Sequence, residues 1–182
     1  MDPGALVMDG LLLAVAAAGA FTDVRSGEVH NTLTYAGVAA GLVLNGFLPS
    51  PPGLGAGAAL LGILVAAGPL FVAYLAGGIG AGDVKLAGAM GAFVGPHTAL
   101  FVLLYTCLSG GVMALAVILW KEGYGGLLLR IQAALHLRGG DDGFARLKFP
   151  FGLAILVGTA WAITERNLGA SALDLVFGPV RA

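Results

Sequence analysis

The chain has 182 residues, 58% of them hydrophobic and 10% charged, with a net charge of -1 and a mean hydropathy of +0.94. A soluble domain carries about 25% charged residues, so this composition excludes one and indicates a single-domain, all-α integral membrane protein whose main partner is the lipid bilayer. Nucleic-acid binding is excluded as well, because the nine Lys and Arg form no basic stripe that could neutralise phosphates.

Six apolar runs are predicted as transmembrane helices, at roughly 5–22, 32–48, 54–76, 83–95, 98–120 and 149–164 of a single domain covering 1–182. The first begins near Asp2 and Asp9 and has no Lys or Arg before Arg25, the wrong flank for a cleavable signal peptide, so it reads as a retained helix. It closes on Phe21-Thr22-Asp23-Val24-Arg25. Asn31, with Thr32, stands where an N-cap of the second helix is expected, and Pro49-Ser50-Pro51-Pro52-Gly53 stops that helix. The third run is long enough to cross a hydrocarbon core of about 30 Å and leads directly into Gly77-Gly78-Ile79-Gly80-Ala81-Gly82-Asp83-Val84-Lys85-Leu86.

The fourth run is short. Its 13 residues cover only roughly 20 Å of helix before Pro96-His97, so a re-entrant segment or a thinned membrane is expected, with a wet, buried cavity beside Asp83. After the fifth run comes the one long polar stretch, 121–148, in which Leu127, Leu128, Ile131, Leu135 and Leu137 alternate with Arg130, Gln132, His136 and Arg138. That pattern predicts a cytoplasmic interfacial amphipathic helix. Across the six runs, Arg25, Lys85, Lys121, Arg130, Arg138, Arg146 and Lys148 fall on one side and Arg166 and Arg181 on the other. The positive-inside rule makes the first side cytoplasmic and leaves both termini outside.

The glycines predict close packing. Gly37 and Gly41, Gly53 and Gly57, and Gly91 and Gly95 have the small-xxx-small spacing that lets helix backbones approach in lipid. Gly80 and Gly82, beside an acid, are expected to supply positive φ angles or close approach of another backbone, such as an extended peptide substrate.

Two acids stand out because an ionised Asp at the bilayer centre costs roughly 2.5 to 3.5 kcal/mol, so acids in apolar runs usually face a cavity or do chemistry. Asp23 and Asp83 both fall at the predicted cytoplasmic end. Two carboxylates sharing a partly dry site cannot both ionise easily, so one holds a proton as general acid while the other activates water as general base. Spacing alone serves a structural reading equally, with Asp83 as a helix cap and Asp23 paired to Arg25; a cation site in a small ion-coupled transporter draws on the short fourth run but would want acids near mid-bilayer and an internal repeat, and neither is seen. A non-catalytic packing subunit of a secretion complex also stays open. No metal and no cofactor is expected, since His30, His97 and His136 are scattered and the lone Cys107 can build neither a disulfide nor a thiolate zinc site.

Asp23-Val24-Arg25 with Val29-His30-Asn31, followed by Gly80-Ala81-Gly82-Asp83-Val84-Lys85-Leu86, resembles the type IV prepilin peptidases, a family of GxGD-type intramembrane aspartic proteases. Lys148-Phe149-Pro150-Phe151-Gly152 is similar to the proline segment that opens that family's last helix. The family commonly carries proline where this chain has His30. The resemblance implies that Asp23 and Asp83 are the catalytic pair and that Gly80, Gly82, Lys85, Arg25 and Asn31 position motif or substrate. It implies an endopeptidase of the bacterial inner membrane that removes the basic leader of prepilins or pseudopilins, cutting after a glycine on the cytoplasmic side. Lacking the cysteine-bearing cytoplasmic segment of larger members, the chain resembles the short form that serves tight-adherence (Flp) pili, for which no methyltransferase activity is expected.

Overall fold

The computed structural model describes residues 3–47, 54–134 and 151–168, the stretch 127–134 by its backbone only. Within them the chain forms five helices and no strand: α1 (Pro3–Ser26), α2 (Asn31–Phe47), α3 (Ala56–Leu75), α4 (Ala81–Ala134) and α5 (Phe151–Leu168). Three stretches, Pro3–Ser26, Ala56–Leu75 and Ala81–Gly126, are long and apolar enough to cross a membrane. Large apolar side chains such as Leu6, Phe21, Leu64, Phe71, Val72, Leu75 and Leu108 are exposed on the outside, as lipid contact demands. The interior is built of small or slender residues, with Leu12, Leu86, Met90, Val102 and Ile155 its largest fully buried apolar side chains.

The predicted fourth and fifth helices follow one another within α4 with no loop between them, divided by the left-handed backbone of Gly95 (φ 70), and a second break falls at Gly123 (φ 66). The first segment, 81–94, packs Gly91 on Gly62 and Gly88 on Ala67, so it runs antiparallel to α3. The second, 96–122, packs Thr106 on Gly158 and Gly110 on Ala154, antiparallel to α5. Because α5 begins at the end of the bundle where α1 finishes, the chain reverses at Gly95. The expected polar loop from 121 also starts differently. Residues 121 and 122 finish the second segment, 124–134 are helical, and 135–148, with the rest of the predicted amphipathic helix, lie outside the described residues.

The break at Gly95 leaves a specific debt of hydrogen bonds. Pro96 has no N–H, so the carbonyl of Ala92 loses its i+4 donor inside the apolar core. Asn45, fully buried on α2, supplies the replacement. Its Nδ2 donates to Ala92 O (2.8 Å), Phe93 O (3.0 Å) and Gly41 O (3.1 Å), while its Oδ1 accepts from Leu54 N (3.0 Å). One side chain thereby ties together α2, the α4 break and the entry to α3.

Small-residue packing is realised in part. Side chains added at Gly37 and Gly41 would meet Ala89 and Ala92 of α4, so α2 lies flat on the first segment of α4. Gly91 serves α3 through Gly62, a contact so close that a Cβ on Gly62 would sit 2.1 Å from Gly91 O. Gly57 faces open space, and Gly53 lies outside the described residues.

Candidate active site

Helix endings place the acids. α1 runs one turn further than its apolar pattern predicts, so Asp23 belongs to its final turn, which Gly27 (φ 70) closes by donating from its N–H to Asp23 O at 2.8 Å. α3 stops on a Schellman turn: Gly77 (φ 79) donates to Tyr74 O at 2.8 Å and Gly78 donates to Ala73 O at 2.9 Å. The left-handed residue of the glycine-rich stretch is therefore Gly77. Neither Gly80 nor Gly82 has positive φ, contrary to expectation.

The turn delivers Asp83 to the third position of α4. Its Oδ2 accepts from Gly80 N–H at 3.3 Å, the reach-back of a capping box. Gly82 does permit a close backbone approach, but the neighbour is Val29 of this chain, whose Cβ would lie 3.0 Å and N 3.3 Å from an added side chain. The α1–α2 turn thus seats directly on the start of α4.

The acids share a level. A Cβ on Gly19 would touch Leu86 Cδ2 at 2.7 Å, which sets the register between antiparallel α1 and α4. Asp23 lies four residues beyond Gly19 and Asp83 three residues before Leu86, so both stand about 5 to 6 Å further toward the same end. The two carboxylates are within electrostatic reach of each other, and each residue is only 8% exposed. Capping accounts for one oxygen of Asp83. Oδ1 is buried and has no hydrogen-bond partner among the described residues.

Asp23 is not held by Arg25, whose guanidinium lies over the Phe21 ring, 5.9 Å from its centroid. Its Oδ2 accepts from the N–H of Gly152, in the first turn of α5, at 2.7 Å. Asn31 does not spend its side-chain oxygen on a cap. Oδ1 accepts from Lys85 Nζ at 2.7 Å, and the ammonium also stands 5.3 Å from the centre of the Tyr35 ring. Gly80, Gly82, Lys85, Arg25, Asn31 and both acids therefore converge on one end of the bundle. Among the described residues no group of three or more His, Cys, Asp or Glu could hold a metal ion.

Sequence reasoning passed over three partners. Gly152 was visible only as part of a motif. Tyr35 reads as an ordinary apolar-run aromatic. Asp9, taken as a flanking charge, is buried at the opposite end, paired with the Arg166 guanidinium and accepting from Asn167 Nδ2 at 3.0 Å. The rule that singled out Asp23, an acid inside an apolar run, applies to Asp9 as well and signals its buried pairing.

The model of the type IV leader peptidase family matches residues 10–115, which include both acids and the whole glycine-rich turn. No curated protein and no solved structure matches the chain significantly.

Proposed function

Since the match covers more than half of its length, the chain belongs to the type IV leader peptidase family, and we propose that it is an intramembrane aspartic endopeptidase with Asp23 and Asp83 as its reacting pair. The observation that carries this reading is the bare Oδ1 of Asp83, buried beside a second carboxylate. Leaving a buried acceptor unpaired costs about 1 to 3 kcal/mol, and a cap alone needs no such expense; a water O–H or a substrate N–H can donate to it. One carboxylate takes a proton from water as it attacks the scissile carbonyl, and the other gives its proton to the departing amine.

The substrate is a prepilin-like or pseudopilin chain, cut after a glycine between a basic leader and a hydrophobic helix. Such a helix lies in the bilayer while its leader stays at the face where the acids open. Among the described cations, Arg25, Lys85 and Lys121 stand toward the acid-bearing end and Arg166 at the other, which supports a cytoplasmic site in the inner membrane. An ion-transport site would want its acids near mid-depth, whereas this pair sits at one end.

The test is turnover of a prepilin-like peptide by purified protein, followed by mass analysis. Asp23→Asn and Asp83→Asn each abolish cleavage, because an amide can neither hold nor accept the proton, and the double variant is no worse than either single because the pair acts as one unit. Activity against pH is bell-shaped, its two apparent constants belonging to the pair. Near-normal turnover by either single variant would refute the dyad.

A further inference from the structure

Each acid is gripped on one oxygen by the N–H of a glycine. Gly80 holds Asp83 from within the same turn, but the grip on Asp23 comes from Gly152, 129 residues away. A carboxylate on a free rotor turns broadly about its last bond, so Asp23 on α1 has no fixed orientation of its own. The first turn of α5 supplies one, since the leading N–H groups of a helix have no partners within it and carry the positive end of its dipole.

The space around Gly152 is matched to this task. A Cβ there would lie 3.0 Å from both Cβ and Oδ2 of Asp23 and 3.3 Å from Cα of Ala20. Any side chain would push α5 away from α1 or turn the carboxylate aside. The far end of the same helix pair is fastened too, by Arg166 and Asn167 on Asp9. Asp9 and Asp23 are 14 residues apart (23 - 9), as are Gly152 and Arg166 (166 - 152), so two polar clamps at matched spacing set the register of α5 along α1.

We propose that the first turn of α5 is a positioning element of the active site: the Gly152 N–H orients the Asp23 carboxylate toward Asp83, and the absent side chain of Gly152 is what lets the two helices close to that distance. This assignment rests on the reading of Asp23 and Asp83 as the reacting pair. Gly152 touches no substrate; it acts through Asp23.

The experiment compares Gly152→Ala, Asp23→Asn, Asp83→Asn and Gly110→Ala in the purified full chain, with a peptide that carries a basic leader, a glycine at the cut and a hydrophobic helix. Gly152→Ala lowers kcat about 100-fold, the scale set by displacing a reacting group by about 1 Å, and leaves KM unchanged. Gly110→Ala sets the same methyl against the side chains of Phe151 and Ala154 at the α4–α5 contact, 3.1 and 3.4 Å away, and keeps wild-type kcat. Loss in both variants alike would reduce Gly152 to a packing residue and overturn the proposal. If the two Asp variants are dead while folded Gly152→Ala turns over normally, the positioning role alone fails; if an Asp variant is active, the underlying dyad fails instead. A second measurement needs no change at Gly152. In glycine-labelled protein, the Gly152 amide proton resonates downfield in the wild type and in Asp83→Ala but moves upfield in Asp23→Ala, and an amide proton indifferent to Asp23→Ala overturns the proposal.

Discussion

Replacing Asn45 by Leu keeps the approximate volume of a fully buried side chain and removes every polar atom from it. Four hydrogen bonds disappear, but they do not count equally. The Gly41 carbonyl lies in the same helix one turn before Asn45 and keeps its intrahelical environment. The Ala92 carbonyl has no alternative, because the residue four further on is Pro96. Leu54 N–H, part-buried at the entry to α3, loses its acceptor as well. One orphaned buried carbonyl costs about 1 to 3 kcal/mol and a partly wetted amide less, so the substitution destabilises by about 2 to 4 kcal/mol. Asn45→Asp is worse, since it sets an acid against three carbonyl oxygens. The assay is unfolding of the purified protein in detergent, followed by circular dichroism and by proteolysis. Ala92, which Asn45 holds, lies nine residues beyond Asp83 in α4, about 14 Å along the helix, so peptide turnover by the surviving folded fraction is unchanged. An Asn45→Leu protein as stable as the wild type would show that the α4 break does not depend on this side chain.

Gly62→Ala drives a methyl into the Gly91 carbonyl at 2.1 Å, where only backbone can yield, and costs about 1 to 3 kcal/mol of stability in the same unfolding assay. Gly68→Ala, which meets nothing within 4 Å, is its neutral control, and equal stability of the two would refute the close α3–α4 contact. Chelators leave peptide cleavage intact; abolition by EDTA with recovery on zinc would overturn the two-aspartate mechanism. In a Cys107→Ala background, cysteines introduced at Ser26 and Gly140 react with a membrane-impermeant reagent only after the inner face is opened, and labelling from outside intact cells would reverse the orientation.

Composition alone established lipid as the solvent, because a chain with 10% charged residues cannot cover itself in water. The two acids were legible for the same reason: a carboxylate in an apolar run needs a cause, and the cause can be sought without coordinates. So was the close packing at Gly37, Gly41 and Gly91, since spacing along a helix decides which residues share a face. The sequence misled where backbone conformation depends on its surroundings. In a stretch containing Gly77, Gly78, Gly80 and Gly82, composition does not say which glycine turns left-handed, and the terminating hydrogen bonds of α3 selected Gly77. Only the tertiary structure paired Asp23 with Gly152, Asp9 with Arg166 and Asn45 with Ala92, because such partners lie tens to more than a hundred residues apart and leave no periodic trace. Inside a bilayer the backbone polar groups must be satisfied from within the protein, so the fold, and not the local pattern, decided which polar groups met.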